Sequence, residues 1–557
     1  MKKNIIFSLL ILFSINLNAL QDGQLDPTFN SGDATPGANV NDFGVGSSTS
    51  FAKAIAFQAP EYLILAGQTV IAGMTQFALA RYNGDGELDN VFGSGTGLVT
   101  TIFPGQSFSS ANDVVVRPGE NGKIIAIGSA FVGGSTQFAL VGYTDIGALD
   151  PSFNGTGRVL TDILAGATDT ANAGVLQADQ KLVAVGISSI AIGANFLALA
   201  RYNTDGSLDT TFSNPSSTPG VTPGTIRIQL AGQITTGNDV VMQLVNGVEK
   251  ILVVGTLGFI GTAYYLARFN LDGSFDTSFG SGTGFVSGNF AIPIVSSTGS
   301  SLALQNDKII VAGLEGGTTV GFARYNSDGQ LDTTFGTNGV FLTPAMAMSN
   351  VQSIKTMPDG KIVAAGYTGN NQEFVVMRLT ANGALDNTFG TAGVTVVPYD
   401  AYGYVNGGAY DLVVQPDLKI SAAGVAVNGF AFALGKFAVA RLIGVSSTFV
   451  EFIRPPTPAD GATIDNPRPT ITVRTYPGNS VSIFRNEVFV GGGTADANGE
   501  FSLTSPFDLA NGFFTVRAAV RDAAGNLASA TTTFTIDTIS CTLPADELTL
   551  ALREKYL

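Results

Sequence analysis

The residues able to do chemistry in this chain are carboxylates, hydroxyls, tyrosines and arginines. Histidine is absent, which removes Ser-His-Asp and Cys-His catalysis and every His-ligated metal site. Cys541 is the only cysteine, so no intrachain disulfide or thiolate zinc site can form. The lack of Trp takes away the largest aromatic platform for sugars. What remains is regularly placed. Asp26, Asp89, Asp150, Asp209, Asp276, Asp332 and Asp386 each sit in Leu-Asp-x-x-Phe or a close variant, with Phe275 for Leu in one copy. Arg81, Arg201, Arg268, Arg324, Arg378 and Arg441 recur at the end of an apolar run.

Three chemistries suit such residues. The first is calcium binding by Asn83, Asp85, Glu87 and Asp89, echoed at Asn326, Asp328 and Asp332. An EF-hand type loop needs an oxygen ligand first and a bidentate Glu twelfth, where Arg81 and Phe92 stand, so a turn satisfied by Asn and Asp is the better reading. The second is an anion-binding row of arginines. A structural Arg–Asp pair pinning successive repeats is preferred, although the second repeat has Gly142-Tyr143 where Arg-Tyr stands elsewhere. The third is glycoside hydrolysis by paired carboxylates, for which no aspartate stands apart from its repeated turn. Sialidase-type aspartate boxes would need Thr-Trp.

The elements positioning these residues are repeats. The seven aspartates are separated by 63, 61, 59, 67, 56 and 54 residues, the mark of one supersecondary unit with variable loops. In the same phase, strand-like runs end in glycine: Tyr62 to Gly67, Lys123 to Gly128, Lys181 to Gly186, Lys250 to Gly255, Lys308 to Gly313, Lys361 to Gly366 and Lys419 to Gly424. The sixth unit divides into strands at 339–343, 351–356, 361–367 and 374–379, with Pro358-Asp359-Gly360 as a hairpin turn. Continuous Ile, Val and Ala predict sheets covered on both faces. Four antiparallel strands repeated seven times predict an all-β fold, a seven-bladed β-propeller. Its closure requires Leu25 to Phe29 to pack near Phe437 to Leu442.

The pattern Arg-Tyr-Asn-x-Asp-Gly-x-Leu-Asp-x-x-Phe-Gly at Arg324 to Gly336, followed by Pro358 to Gly366, resembles the delta-60 repeat of bacterial exported proteins. The resemblance covers roughly residues 22–444. It implies a propeller-like fold and export, and supplies no catalytic residue.

After Arg454-Pro455-Pro456-Thr457-Pro458 the period stops. Strand-like runs at 470–474, 480–484, 500–503, 513–520 and 531–536 predict an Ig-like β-sandwich. Gly499 to Ser502, Asp522 to Asn526 and Phe534 to Asp537 resemble bacterial Ig-like domains of surface and adhesin proteins. That resemblance makes Asp522, Asn526 and Asp537 calcium candidates, with a plain turn the preferred reading. The expected organisation is a signal peptide at 1–19, the propeller at 20–446, the sandwich at 447–538 and a tail at 539–557 with helical spacing.

Lys2-Lys3, an apolar run from Ile5 to Ile15 and Asn18-Ala19 form the secretory signal, with cleavage expected after Ala19 and no membrane span thereafter. A net charge of −15 argues against nucleic acid and anionic lipid. The expected function is an exported, non-enzymatic binding or scaffold protein, secreted, periplasmic or at the cell surface, with a protein or glycan partner. No cofactor is expected beyond calcium. The alternatives are a structural adhesion or surface-layer component without a small ligand, and a carboxylate-dependent exported hydrolase or lyase.

Overall fold

The computed structural model describes residues 22–537, except 34, 44–48, 119–121, 192, 259–261, 292–295, 345–346, 370–372, 429–434, 445–449, 454–456, 459–460, 476–477, 487, 497, 506–507 and 522–526. The signal sequence, Cys541 and the tail at 539–557 therefore lie outside the described residues.

Each repeat forms an antiparallel blade of four strands. In the sixth these are Asn350–Thr356, Ile362–Tyr367, Phe374–Leu379 and Val394–Val397, hydrogen-bonded in that order. Blades one and two are additionally joined by a single parallel bridge, Thr75 to Phe108. Val, Ile, Leu and Ala fill the two middle strands because both faces of every blade are covered, and Ile362, Val363, Ala364 and Ala365 are all buried. The segment at 339–343 does not open the sixth blade. Val340–Leu342 pairs with Thr319–Tyr325 as the outer strand of the fifth. The reason is local: the Leu-Asp-x-x-Phe turn reverses the chain, so the next strand bonds to the one just left.

The seventh blade is assembled from both ends of the repeat array. Asn406–Val414, Ile420–Val427 and Lys436–Leu442 are completed by Ala38–Asn41, with Ala38 opposite Ala440. Leu25 bridges Leu442. Blade one then packs on blade seven, with Ala52, Ile55, Leu63 and Leu65 in one apolar cluster with Phe29, Ala423, Phe437 and Val439. The seven sheets thus follow one another around a ring.

One cluster recurs at the blade junctions. Arg324 donates from Nε to Asp332 Oδ2 at 2.7 Å, from Nη1 to Gln305 Oε1 and to the Ala381 carbonyl of the next blade, both at 2.9 Å, and from Nη2 to Thr334 Oγ1. Its guanidinium also lies 4.9 Å from the Phe335 ring centroid. Gly383 of the following turn is pressed against that ring, where a Cβ would collide, and its φ of +80° suits glycine. The Arg–Asp pair therefore closes a turn within one repeat, while another nitrogen of the same Arg reaches the neighbouring blade. Arg81, Arg201, Arg268 and Arg378 likewise reach Asp145, Leu271, Ser327 and Gly444 carbonyls. Arg441 pairs with Asp26 at 2.7 Å across the chain ends and donates to the Gly84 carbonyl.

Blade two keeps the cluster by moving its arginine. Gly142 leaves the usual Arg place to the Phe153 ring. Arg117 stands where other blades carry Gln58, Gln177, Gln243, Gln305 or Gln415, lies 5.8 Å from Phe153, and donates to the Thr204 carbonyl of blade three at 2.6 Å. Lys123 supplies the cation for Asp150 at 3.0 Å.

The C-terminal unit is a two-sheet sandwich. Glu451–Phe452, Thr470–Arg474 and Glu500–Thr504 form one sheet. Ala462–Ile464, Leu527–Ile536, Gly512–Arg521, Ser480–Arg485 and Val488–Thr494 form the other, in that order. Three of these strands, Glu451–Phe452, Ala462–Ile464 and the glycine-rich Val488–Thr494, lack alternating apolar patterning and escape a reading by sequence.

Replacing Arg324 by Ala strips the buried Asp332 carboxylate of one of its two cations, Lys308 being the other, and also removes the link to the next blade, and should cost about 3 kcal/mol in urea unfolding. Arg441→Ala should cost about as much, because the terminal junction uses the same cluster. A loss under about 0.5 kcal/mol for Arg441→Ala would mean that the ring does not depend on it.

Candidate functional site

Glycine in the second strand of each blade sets the geometry of the axis. A Cβ on Gly67, Gly128, Gly186, Gly255, Gly313, Gly366 or Gly424 would strike the carbonyl of a residue in the adjoining inner strand, Asn350 in the case of Gly366. That close approach accompanies a β-bulge. The pairing slips by one residue between Ala52 and Ala54, Ala111 and Asp113, Ala171 and Ala173, Gly299 and Ser301, Val351 and Ser353, and Ala409 and Asp411. In the fourth blade Asn238 takes the same place, just before the strand at Asp239. A bulge leaves its extra residue outside the ladder and redirects the side chain.

The redirected side chains are Lys53, Asn112, Asn172, Asn238, Ser300, Gln352 and Tyr410, one per blade. With Phe51 they line a cavity of about 470 Å³. A contiguous cavity of about 560 Å³ continues past Asp113, Asp239, Lys355 and Asp411. This is the axial channel of the propeller. Its position was not apparent from the sequence, although a signal exists: a polar residue stands 13 to 17 residues before each repeated glycine, following Ala, Gly or Val.

Several channel residues tie blades together. Asn112, Asn172 and Asn238 donate from Nδ2 to the carbonyls of Ala171, Gly237 and Gly299, at 2.8, 2.8 and 2.6 Å. Asp113 accepts from the amides of Val114 and Gly174, both at 2.7 Å. Asp239 accepts from the Val240 and Leu302 amides and from Ser301 Oγ. Asp411 accepts from the Leu412 amide and, across the closing junction, from the Ile55 amide at 2.9 Å. Both oxygens of each carboxylate are thus engaged by its own strand and the next blade.

The electrostatics follow from this crowding. Burial, with Asp411 and then Asp239 adding repulsion, pushes Asp113 up to about 7. Burial also raises Asp239. Lys355 stands 4.0 Å from Asp411, and its side chain is half-exposed to the channel. Burial opposes its charge, but Asp411, Asp239 and Asp113 outweigh that and raise it. Lys53 at the mouth donates to Ser110 Oγ and Asn112 Oδ1, both at 2.9 Å, and burial brings it down to about 8.

The repeated residues singled out by spacing lie elsewhere, at the blade junctions. Asp26, Asp89, Asp209, Asp276, Asp332 and Asp386 each meet an Arg, whereas Asp150 meets Lys123. For Asp386, burial alone would raise the carboxyl, but Thr388, Arg378 and Lys361 bring it down to about 2. The calcium-like set is a turn: the Asp85 and Glu87 amides donate to Asn83 Oδ1 at 3.1 and 2.9 Å. Asp522 and Asn526 lie outside the described residues. Asp537 is exposed, and Asn511 donates to it at 3.4 Å. Among the described residues no group of three or more acidic, Cys or His side chains could hold a metal, and no helix is long and apolar enough to cross a membrane.

The chain matches the family described as "Domain of unknown function (DUF5122) beta-propeller" at residues 63–92, 120–153, 177–212, 250–279, 304–335 and 358–389. It matches the "Bacterial Ig-like domain" at 457–538. The remaining copy of the repeat is split between the chain's two ends, Lys419 to Leu442 and Leu25 to Asn41, so it has no contiguous stretch. No curated protein matches in sequence. Similar solved structures include a fungal alcohol oxidase in complex with copper, with 12% identity, 89% of this chain and 100% of that one covered, and a TM-score of 0.39. The extracellular domain of a putative hybrid two-component system from B. thetaiotaomicron has 10% identity, 89% and 57% coverage, and a TM-score of 0.35. A protein of unknown function from Dyadobacter fermentans has 12% identity, 73% and 99% coverage, and a TM-score of 0.37.

Gly366→Ala forces the bulge carbonyl away and should destabilise the protein by about 3 kcal/mol in chemical denaturation. An unchanged midpoint would show that the bulge relaxes freely.

The pH dependence has two limbs. An unfolded Asp titrates near about 3.9. Asp113 is raised in the fold, so its protonated form adds stability below about 4 that is lost as pH climbs through 7. Asp169, pushed by burial to about 6, acts in the same direction. Asp386 is lowered, so its stability is present above about 4 and lost as pH falls through 2. Thermal unfolding should therefore shift upward from pH 8 to 5 and downward from pH 4 to 2. Asp113→Asn should flatten the first limb, and a wild-type profile level between pH 5 and 8 would contradict the channel electrostatics.

Proposed function

With the chain built from DUF5122 β-propeller repeats followed by a bacterial Ig-like domain, we propose that it is an exported, non-enzymatic binding or scaffold protein. It presents the propeller at or outside the cell surface, and the Ig-like domain serves as a spacer or docking module. The observation that carries the reading is the channel. Its three carboxylates, the natural candidates for acid–base work, have their oxygens taken by backbone amides, so none is poised beside a substrate as proton donor or nucleophile. The mouth, in contrast, presents differing polar side chains, one of them the Lys53 ammonium, on a rigid frame, which suits recognition. The export reading is supported by the Lys2-Lys3 and Ile5 to Ile15 pattern and by the kind of domain matched at 457–538.

Two measurements test this. A full-length tagged chain, fractionated after expression in a bacterium, should appear outside the cytoplasm with residues 1–19 removed. The mature chain should retain surface glycans or proteins in glycan-array and pull-down assays, with and without calcium, and release no product from chromogenic glycosides. Cytoplasmic retention would sink the export reading. Turnover abolished by Asp113→Asn would replace the binding protein with an enzyme.

A further inference from the structure

The ring at the channel mouth is chemically lopsided. In blades two to four the bulge residue is Asn, and each amide is spent on the next blade's carbonyl. From blade five round to blade one the residues are Ser300, Gln352, Tyr410 and Lys53, and none makes that tie. Gln352 donates to Asn350 of its own strand. Ser300 Oγ and Tyr410 Oη make no hydrogen bond among the described residues. Burial and the neighbouring Tyr367 push the Tyr410 phenol up to about 12, so it stays a neutral donor. One arc of the mouth is therefore bound up in amide-to-carbonyl ties between blades; on the other, Ser300 and Tyr410 have no partner among the described residues, Gln352 bonds within its own strand and Lys53 bonds neutral oxygens of blade two.

Lys53 adds a charge to the unused arc. Each repeated Arg, and Lys123, Lys181, Lys250, Lys308, Lys361, Lys419 and Lys355, faces a carboxylate within 4.0 Å. Lys53 has no carboxylate partner among the described residues, and both of its contacts are neutral oxygens. A half-buried ammonium whose contacts are neutral oxygens favours an anion beside it, even in a chain whose net charge is −15. The single cation suits one carboxylate, the surrounding hydroxyl, amide and phenol suit hydroxyl groups, and Tyr410 offers an aromatic face in the absence of Trp. A cavity of about 470 Å³ holds a small ligand of one or two rings.

We propose that Lys53, Ser300, Gln352 and Tyr410 form a binding site for a sugar acid, a small polyhydroxylated ring bearing one carboxylate. The site rests on the reading of the chain as a binding protein and names its ligand class. The carboxylate pairs with the Lys53 ammonium, and the ring hydroxyls exchange hydrogen bonds with Ser300, Gln352 and Tyr410. Asp113, Asp239 and Asp411 lie deeper, already engaged by backbone amides, and are not ligand contacts.

The test is calorimetric titration of the mature full chain with glucuronate and galacturonate, with glucose and galactose as neutral counterparts and acetate as the carboxylate alone. At least one uronate should bind, with its hexose and acetate each weaker by about tenfold or more. Lys53→Met should remove that preference while the melting temperature stays near wild type, Lys53→Arg should largely keep it, and Tyr410→Phe should weaken uronate and hexose together. Absence of uronate binding, equal binding of the hexose, or a Lys53→Met chain that still prefers the uronate overturns the proposal. If uronates fail while the mature chain still captures surface material, the site falls and the binding-protein reading survives. If neither is retained, both fall.

Discussion

Each junction between blades of a closed ring must be made, because an unmade one exposes two apolar faces to water. The chain meets this requirement with one cluster used repeatedly. A guanidinium bonds the Asp of its own turn, lies against the Phe that plugs the junction, and reaches a carbonyl of the next blade. Apolar packing supplies the bulk of the junction's stability but not its alignment. The directional bonds of a planar, always-charged group fix how one blade is rotated against the next. Burying the group is tolerable where its donors find carboxylate, amide, hydroxyl and carbonyl oxygens, as at Arg324, whereas Arg201 Nε is buried without a hydrogen-bond partner among the described residues. The terminal junction obeys the same rule: Asp26 pairs with Arg441, and Asp22 meets Arg378 at 2.6 Å, so the residues that begin the described chain help make two junctions.

A second constraint operates on the axis. Inner strands converge there, and the bulge relieves the crowding by taking one residue out of the ladder. The partner strand must then be glycine, because the bulged carbonyl occupies the space of a Cβ. The extra residue itself is less restricted: Asn, Lys, Ser, Gln and Tyr all occur at that place. A fixed backbone with a variable inward side chain is the arrangement in which recognition can diversify without cost to the fold, which is why the axis and not the repeated Asp–Arg cluster is the binding candidate.

Much of the fold is legible in the sequence. The Leu-Asp-x-x-Phe turn, the glycine of each second strand and the recurrent Arg are local and periodic, and they map onto junctions, bulges and guanidinium clusters respectively; the strands themselves run on past that glycine, to Ile71 after Gly67 and to Tyr367 after Gly366. The strand read at 339–343 is present at Val340–Leu342 but belongs to the fifth blade and not the sixth, because strand pattern does not say which neighbour a strand joins; a turn several residues upstream does. Gly142 looked like a missing partner for Asp150. Arg117 occupies the matching guanidinium place from an adjacent strand, and that exchange is visible only once the strands are aligned side by side. In the sandwich, the alternating strands were readable and the glycine-rich Val488–Thr494 was not.

By itself the sequence determined the repeat, the number of copies, the turn chemistry and the need for the two ends to meet, because those depend on neighbours within a few residues and on a period. Tertiary structure alone decided which side chains share the axis. Lys53, Ser300, Gln352 and Tyr410 are scattered over more than half the chain, and Asp113, Asp239 and Asp411 come from three different blades. Only ring closure brings them to one channel, since each bulge turns its residue inward by an amount set by packing against both neighbouring blades.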